Sequence, residues 1–228
     1  MVHFSNRRSK RADARRVDIM RAAATVFRAR GFSAAGMRDI AVAADLSPGN
    51  LYHYFRGKEE LLFFCQDRSL DRLLDALAAA RTAGPKDRRP LAVRLRELAI
   101  AHVLCLIDGL EGSAAHLEVD ALPPPLRERI VAKRDRYERG VRALVAAESG
   151  RGAEAAVATR AFLGALNWTA HWFRPDGAQP PQRVAELVAD YAVAGLIYGP
   201  TRSHHLHRQR RAGRGRVRPL QDAPRGAA

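Results

Sequence analysis

Within the seven residues from Ser47 to His53, the chain carries side chains suited to planar, hydrogen-bonding targets. The Asn50 amide both donates and accepts in one plane, which is what the paired donor and acceptor on an adenine edge require. His53 can bond a purine acceptor, Ser47 offers a hydroxyl to either kind of partner, and Gly49 lets a backbone approach closely. Arg38, nine residues before Ser47, suits a phosphate or a guanine. None of this works unless the chain presents the residues together on one rigid outward face.

The surrounding residues supply such a face. Met37, Ile40, Ala41 and Ala44 share one side of a short helix, at spacings of three and four. Asp45-Leu46-Ser47 interrupts it, with Leu46 as the apolar plug of a turn. Ser47 before Pro48 is then a start signal, a hydroxyl at the cap and a proline at the first helical position. The pattern predicts a second helix over about 48–55, with Leu51 and Phe55 inward and Asn50, Tyr52, His53 and Tyr54 outward. Tyr54 has a second reading, packing against the first helix. Gly57 ends this helix, and Lys58-Glu59-Glu60 opens a third with acids in its first turn. Two short helices on a tight turn, polar and aromatic residues outward on the second, make a helix-turn-helix. Upstream, Ile19, Ala22, Ala23, Val26 and Phe27 predict an amphipathic scaffold helix over 15–30, stopped by Gly31.

Gly31-Phe32, Met37-Arg38-Asp39-Ile40-Ala41, Leu46-Ser47, Asn50-Leu51-Tyr52-His53-Tyr54-Phe55 and Lys58-Glu59-Glu60-Leu61 together resemble the DNA-binding domain of TetR-family (TetR/AcrR) transcriptional regulators. The likeness runs without a gap over roughly 15–62. It implies that Tyr52 and Lys58 touch backbone phosphates, roles that a phenol and a flexible ammonium suit. Two positions depart from the family pattern: Gly36 and Gly57 stand where a hydroxyl residue is usual. Glycine is a tolerated cap, costing only about a few tenths of a kcal/mol against serine. A phosphate contact from the side chain at position 36 is lost.

With 228 residues the chain can bury a substantial core. Its formal charge of +15 points to a polyanionic partner. The excess is uneven: 1–16 carries a net +5 and 199–228 a net +7, leaving +3 between them. Residues 1–14 are therefore read as a basic, disordered arm, either reaching into a minor groove or merely solubilising, and 199–228 as a basic disordered tail. Between them lie the helix-turn-helix domain, 15–60, and a larger helical domain, 61–198. Cys65 and Cys105 sit in apolar runs without a nearby partner, which fits a reduced, cytoplasmic protein. No signal peptide is visible and the longest apolar run is too short to span a bilayer.

The larger domain reads as all-α, completing an all-α fold. Leu61–Arg81 is a long helix continuous with the DNA-reading module, and so a lever. A loop, 84–90, leads to an apolar helix, Leu91–Leu110; 111–122 predicts a shorter helix, and Pro123-Pro124-Pro125 a break. Leu126–Glu148, Ala153–Phe173 and Val184–Tyr198 follow as helices. His102, Cys105, His116, Asn167, Trp168 and His171 are polar or aromatic residues within or beside apolar helical stretches. They either line a ligand cavity or pack as ordinary core. Gly164, among the small residues beside Trp172, Leu187 and Tyr191, suits close helix packing between two subunits. Asn167–Gly177 resembles a stretch of the lipid- and acyl-CoA-responsive branch of the family.

Enzymatic chemistry finds no residues here. The three histidines at 204, 205 and 207 lack a carboxylate or cysteine companion, so no metal site is expected, and no phosphate loop or nucleophile elbow occurs. No cofactor is implied. The reading is a homodimeric, ligand-responsive regulator, a repressor, binding a palindromic double-stranded operator and answering to a small hydrophobic effector such as a fatty acyl-CoA. A constitutive architectural DNA-binding protein is the alternative.

Overall fold

The computed structural model describes residues 3–81, 89–107, 119–149 and 153–198, and among these every regular element is helical. In chain order they are α1 (His3–Ala34), α2 (Met37–Ala43), α3 (Pro48–Tyr52), α4 (Lys58–Arg81), α5 (Leu91–Ile107), a 3₁₀ turn (Val119–Ala121), α6 (Pro124–Ser149), α7 (Ala153–Trp172) and α8 (Pro181–Tyr198). The tail 199–228, His116, and the greater part of both 84–90 and 111–122 lie outside the described residues.

The first helix corrects the expected arm: it begins at His3 rather than near residue 15. The basic stretch holds arginine, lysine and alanine and no glycine or proline, so it extends a helix already nucleated by the buried Ile19–Phe27 segment. Gly31 interrupts that helix with φ 74 and ψ 158, a backbone region in which a Cβ would be strained. Phe32 is thereby turned back onto Phe27, their ring centroids 5.3 Å apart. Ile19, Met20, Ala23, Phe27, Ile40, Ala41, Leu51 and Phe55 close the core of the head.

Leu61 and Leu62 on the first turns of α4 share that core, while Leu70, Leu73 and Leu77 further along face the larger domain. One helix therefore belongs to both cores. In the larger domain α5 packs against α4, α7 and α8, and α6 against α4 and α7. The prolines at 123–125 were expected to break the chain; instead they open α6. A proline in the first turn lacks an N–H that would have no helical partner anyway, and the N–H groups of Leu126 and Arg127 close on the Pro123 carbonyl at 3.0 and 2.9 Å. Gly140 of α6 lies so close to Leu77 of α4 that a Cβ there would collide with the leucine side chain. Lys133 of α6 pairs with Asp67 and Asp71 of α4 at 2.6 and 2.7 Å.

Candidate nucleic-acid interface and ligand cavity

The outward face of α3 is set by what is buried beneath it. Leu51 and Phe55 are fully enclosed, and this leaves Gly49, Asn50, Tyr52 and His53 exposed. Ser47 Oγ accepts a hydrogen bond from the Asn50 N–H at 3.2 Å, so the serine caps the helix while remaining at the surface. The helix is shorter than the pattern predicts: His53 forms its cap, and Tyr54 and Phe55 turn off it. Tyr54 is half-buried against the head core, as its packing reading holds. Asp45, at φ 53, makes the left-handed bend between α2 and α3; a short polar side chain tolerates this.

Two arginines of the basic stretch are tied to this platform, which the sequence did not reveal. Arg15 donates to the Ala44 carbonyl at 3.2 Å, a cation at the C-terminal end of α2. Arg16 donates to the Tyr54 carbonyl at 3.0 Å, with its guanidinium over the rings of Phe55 and Phe64. Arg38 is exposed on α2 as expected. One turn further on, Val42 is 79% exposed, an aliphatic side chain on the same outer face that sequence reasoning passed over.

At the glycine caps no hydroxyl accepts from the first helical N–H groups, but carboxylates in the first turn hold the backbone entering each helix. The Gly36 N–H donates to Asp39 Oδ2 at 3.0 Å, and Asp39 is held by Arg30 at 2.8 Å. The Arg56 N–H donates to Glu60 Oε2 at 2.7 Å, just ahead of Gly57. Lys58, to which the family pattern implied a phosphate role, faces inward in the DNA-free chain. Its ammonium donates to the carbonyls of Phe32, Ser33 and Ala35 at 3.1, 3.1 and 3.4 Å, over the ring of Phe32. In this position the ammonium is turned toward these carbonyls, and reaching a phosphate would cost it some of those contacts.

In the larger domain a cavity of about 280 Å³ opens between α4, α5, α6 and α7. Leu70, Leu73, Leu106 and Leu163 give it apolar walls; His102, Tyr137, Arg134, Glu138 and Asn167 give it polar ones. His102 is buried, its Nδ1 2.9 Å from the Tyr137 hydroxyl and its Nε2 3.0 Å from Asn167 Oδ1. An amide oxygen only accepts, so Nε2 carries the proton and donates, while Nδ1 accepts from the tyrosine O–H. Burial pushes His102 down to about 4, against the opposing pull of Asn167. Burial also drives the Tyr137 hydroxyl far above its usual range. Both groups are neutral at any physiological pH.

The histidine's folded value lies below its unfolded one, so between about pH 6.5 and 4 the unfolded chain binds a proton that the folded chain refuses. Its contribution is complete above pH 6.5 and is lost as pH falls toward 4. From pH 7.5 to pH 5 the expected loss is about 2 kcal/mol. Urea unfolding at those two values checks it: His102→Gln should lack this part of the pH dependence, and an equal dependence in both proteins would refute a neutral buried imidazole.

Comparison with known proteins fits this arrangement. Residues 19–63 match the family model described as "Bacterial regulatory proteins, tetR family", and residues 88–196 match "Tetracyclin repressor-like, C-terminal domain". The crystal structure of the TetR family transcriptional regulator PfmR from Thermus thermophilus is 33% identical, covers 78% of this chain and 98% of its own, and superposes with a TM-score of 0.66. The chain belongs to the TetR family. It is a transcriptional regulator with a DNA-binding helix-turn-helix head. A further relative, the HTH-type transcriptional activator FasR of Mycolicibacterium smegmatis, is 28% identical over 204 residues, 87% of this chain and 91% of its own. The structure of AibR in complex with isovaleryl coenzyme A and operator DNA has 26% identity and a TM-score of 0.65, covering 80% of this chain and 98% of its own. No helix among the described residues is long and apolar enough to cross a membrane.

Within this TetR chain the expected ligand set divides. His102 and Asn167 meet at the cavity. Cys105 does not line it: buried against α4, its thiol donates to the Ser69 carbonyl at 3.6 Å. Trp168 and His171 stack on one another, ring centroids 4.5 Å apart, on the exposed side of α7. The helical period explains the split for the tryptophans but not for His171, which is only about 40° round from Asn167. Leu163, Asn167 and Ala170 cluster inward, and Trp168 and Trp172 are turned about 100° or more away from Asn167. Trp168 and Trp172 are 62% and 48% exposed, Gly164 is open, and on α8 Leu187 is half-buried and Tyr191 79% exposed.

Proposed function

We propose that this protein is a homodimeric, effector-responsive repressor that binds a palindromic operator through α3 and releases it when a small hydrophobic molecule occupies the cavity. The observation that carries the DNA half is the exposure of Asn50, Tyr52 and His53 above a fully buried Leu51 and Phe55. Asn50, His53, Ser47 and Gly49 take base edges, and Arg38 and Tyr52 take phosphates. Val42 adds an aliphatic surface of the kind that meets a thymine methyl. A dimer places two such helices on successive half-sites.

The exposed aromatic and small residues of α7 and α8 support dimerisation: Gly164, Trp168, Trp172, Tyr191 and Gly195 offer apolar surface that the other described residues leave exposed. An acyl-CoA is the first effector class to consider, because AibR was solved with isovaleryl coenzyme A and operator DNA. The cavity favours this reading over a constitutive architectural protein, which would need none. Effector occupancy acts by binding one arrangement of the heads better than the other. Its route is α4, whose Leu70 and Leu73 line the cavity while its Leu61 and Leu62 belong to the head core.

In vitro selection of operator sequences, followed by a panel of single-base changes, tests the interface. Asn50→Ala and His53→Ala are each expected to flatten preference at one or two positions, by about 1–3 kcal/mol where the contact is bidentate. Unchanged base preference in both variants would refute the assignment.

A further inference from the structure

Residues 3–14 of α1 continue that helix beyond the core of the head. They carry Arg7, Arg8, Lys10 and Arg11 against one acid, Asp13. Residues 11–14 are exposed, so the described residues do not hold this part of the helix by packing. Its charge works against it as well: Arg7, Arg11 and Arg15 follow at intervals of four, where like charges repel within a helix. A basic, unpacked and self-repelling helix is stabilised when a polyanion lies along it.

The anchors of α1 place that polyanion. Arg15 and Arg16, the next two residues, hold the helix to the carbonyls of Ala44 and Tyr54, one just before α3 in the chain and one just after it. Ala44 is three residues from Ser47, no more than about 11 Å along the chain, and Ser47 begins the base-reading edge. The extension thus leaves the head beside the α2–α3 turn with its direction fixed, and at 1.5 Å per residue it is about 18 Å long. Positions 7, 8, 11 and 15 fall within about 100° of one another around its axis. The side on which Arg15 meets α2 is therefore also the side where the basic positions gather. A helix is about 10–12 Å across and the minor groove about 6 Å wide, so the extension is excluded from that groove. The major groove beneath is taken by α3, which leaves the phosphates.

We propose that residues 3–14 of α1 are a rigid basic helix that lies along the phosphate backbone flanking each half-site, adding affinity without sequence preference and staying out of the minor groove. This rests on the reading of α3 as the base-reading helix. The duplex carries one charge per about 1.7 Å of axis, so a helix of this length passes more phosphates than its four cations can neutralise. It spans about five base pairs of flank.

Binding isotherms of the full chain at several salt concentrations, on the selected operator with flanks of about ten base pairs, test this. Exchanging Arg7, Arg8, Lys10 and Arg11 together for glutamine removes the charge and keeps the helix propensity. The slope of log affinity against log salt should become shallower by about 0.9 for each cation that meets a phosphate, up to about 3.6 for each head. Operators carrying single-base changes should all weaken by the same factor, because phosphate contacts carry no sequence information. On a duplex trimmed to the half-sites the variant and the unaltered chain should bind alike. Ala12→Pro keeps every charge but breaks the helix ahead of its anchors, and should lower affinity for the flanked operator about tenfold or more at low salt. An unchanged slope in the glutamine variant or undiminished affinity of Ala12→Pro would overturn the inference. So would a preference for A·T over G·C in the flanks, which would put the segment in the minor groove. The operator panel separates this from the α3 assignment. A shallower slope alongside unaltered base preference in Asn50→Ala and His53→Ala refutes that assignment and leaves the basic helix standing; the opposite pair of results does the reverse.

Discussion

Gly164→Arg is expected to yield a well-folded monomer whose operator affinity is lower by about a thousandfold. Among the described residues, nothing outside the helix's own neighbouring backbone lies within 4 Å of where a Cβ at Gly164 would sit, so they offer the first atom of the new side chain no steric resistance. Exchanging glycine for arginine within a helix even favours the helix by about 0.5–1 kcal/mol. The damage is therefore expected between protomers, where a long charged side chain would enter the proposed seam of Gly164, Trp168, Trp172 and Tyr191. Losing the second head removes an avidity of about 10²–10⁴, and the apolar face then stays in water. Sedimentation equilibrium gives the mass, circular dichroism the fold, and a mobility shift on the selected operator the affinity. A folded dimer with unchanged affinity would place the subunit contact elsewhere.

The head was legible in the sequence because its constraints are local. Leu51 and Phe55 sit one turn apart, Ser47-Pro48 marks a start, and Gly31 marks a stop; the structure agrees at each. The side chains that bind the head together were not legible. Arg15, Arg16 and Lys58 are long and flexible, and neither periodicity nor spacing says whether their charges turn to solvent or fold back onto carbonyls. In α7 the difficulty was different. One face meets the domain core and the other presents Trp168 and Trp172, so apolar residues surround the whole helix. A polar residue such as His171 or Asn167 then has no hydrophobic stripe against which its direction can be read. Only the packing of α5 and α6, which brings His102 and Tyr137 to Asn167, shows which residue faces the cavity. The prolines before α6 failed for a third reason: proline ends one helix and begins another by the same missing N–H.

Lys58→Met is expected to destabilise the head by about 4 kcal/mol while leaving the ionic-strength dependence of DNA binding unchanged. Hydrogen bonds to a charged donor are worth about 1.5–3 kcal/mol each; three of them, discounted for a half-buried site, give that figure. The carbonyls of Phe32, Ser33 and Ala35 come from the turn between Gly31 and α2, and Lys58 is the first residue of α4. The ammonium thus fastens the start of the lever to the base of the helix-turn-helix, and methionine keeps the stem over Phe32 without the charge. Lys58→Arg should recover little, since a planar guanidinium cannot point three donors at carbonyls grouped around one atom. Urea unfolding measures the stability, and binding isotherms at three salt concentrations measure the slope. A phosphate-contacting lysine would give the opposite pair of results: near-normal unfolding, and a slope of log affinity against log salt shallower by about 0.9 for each head.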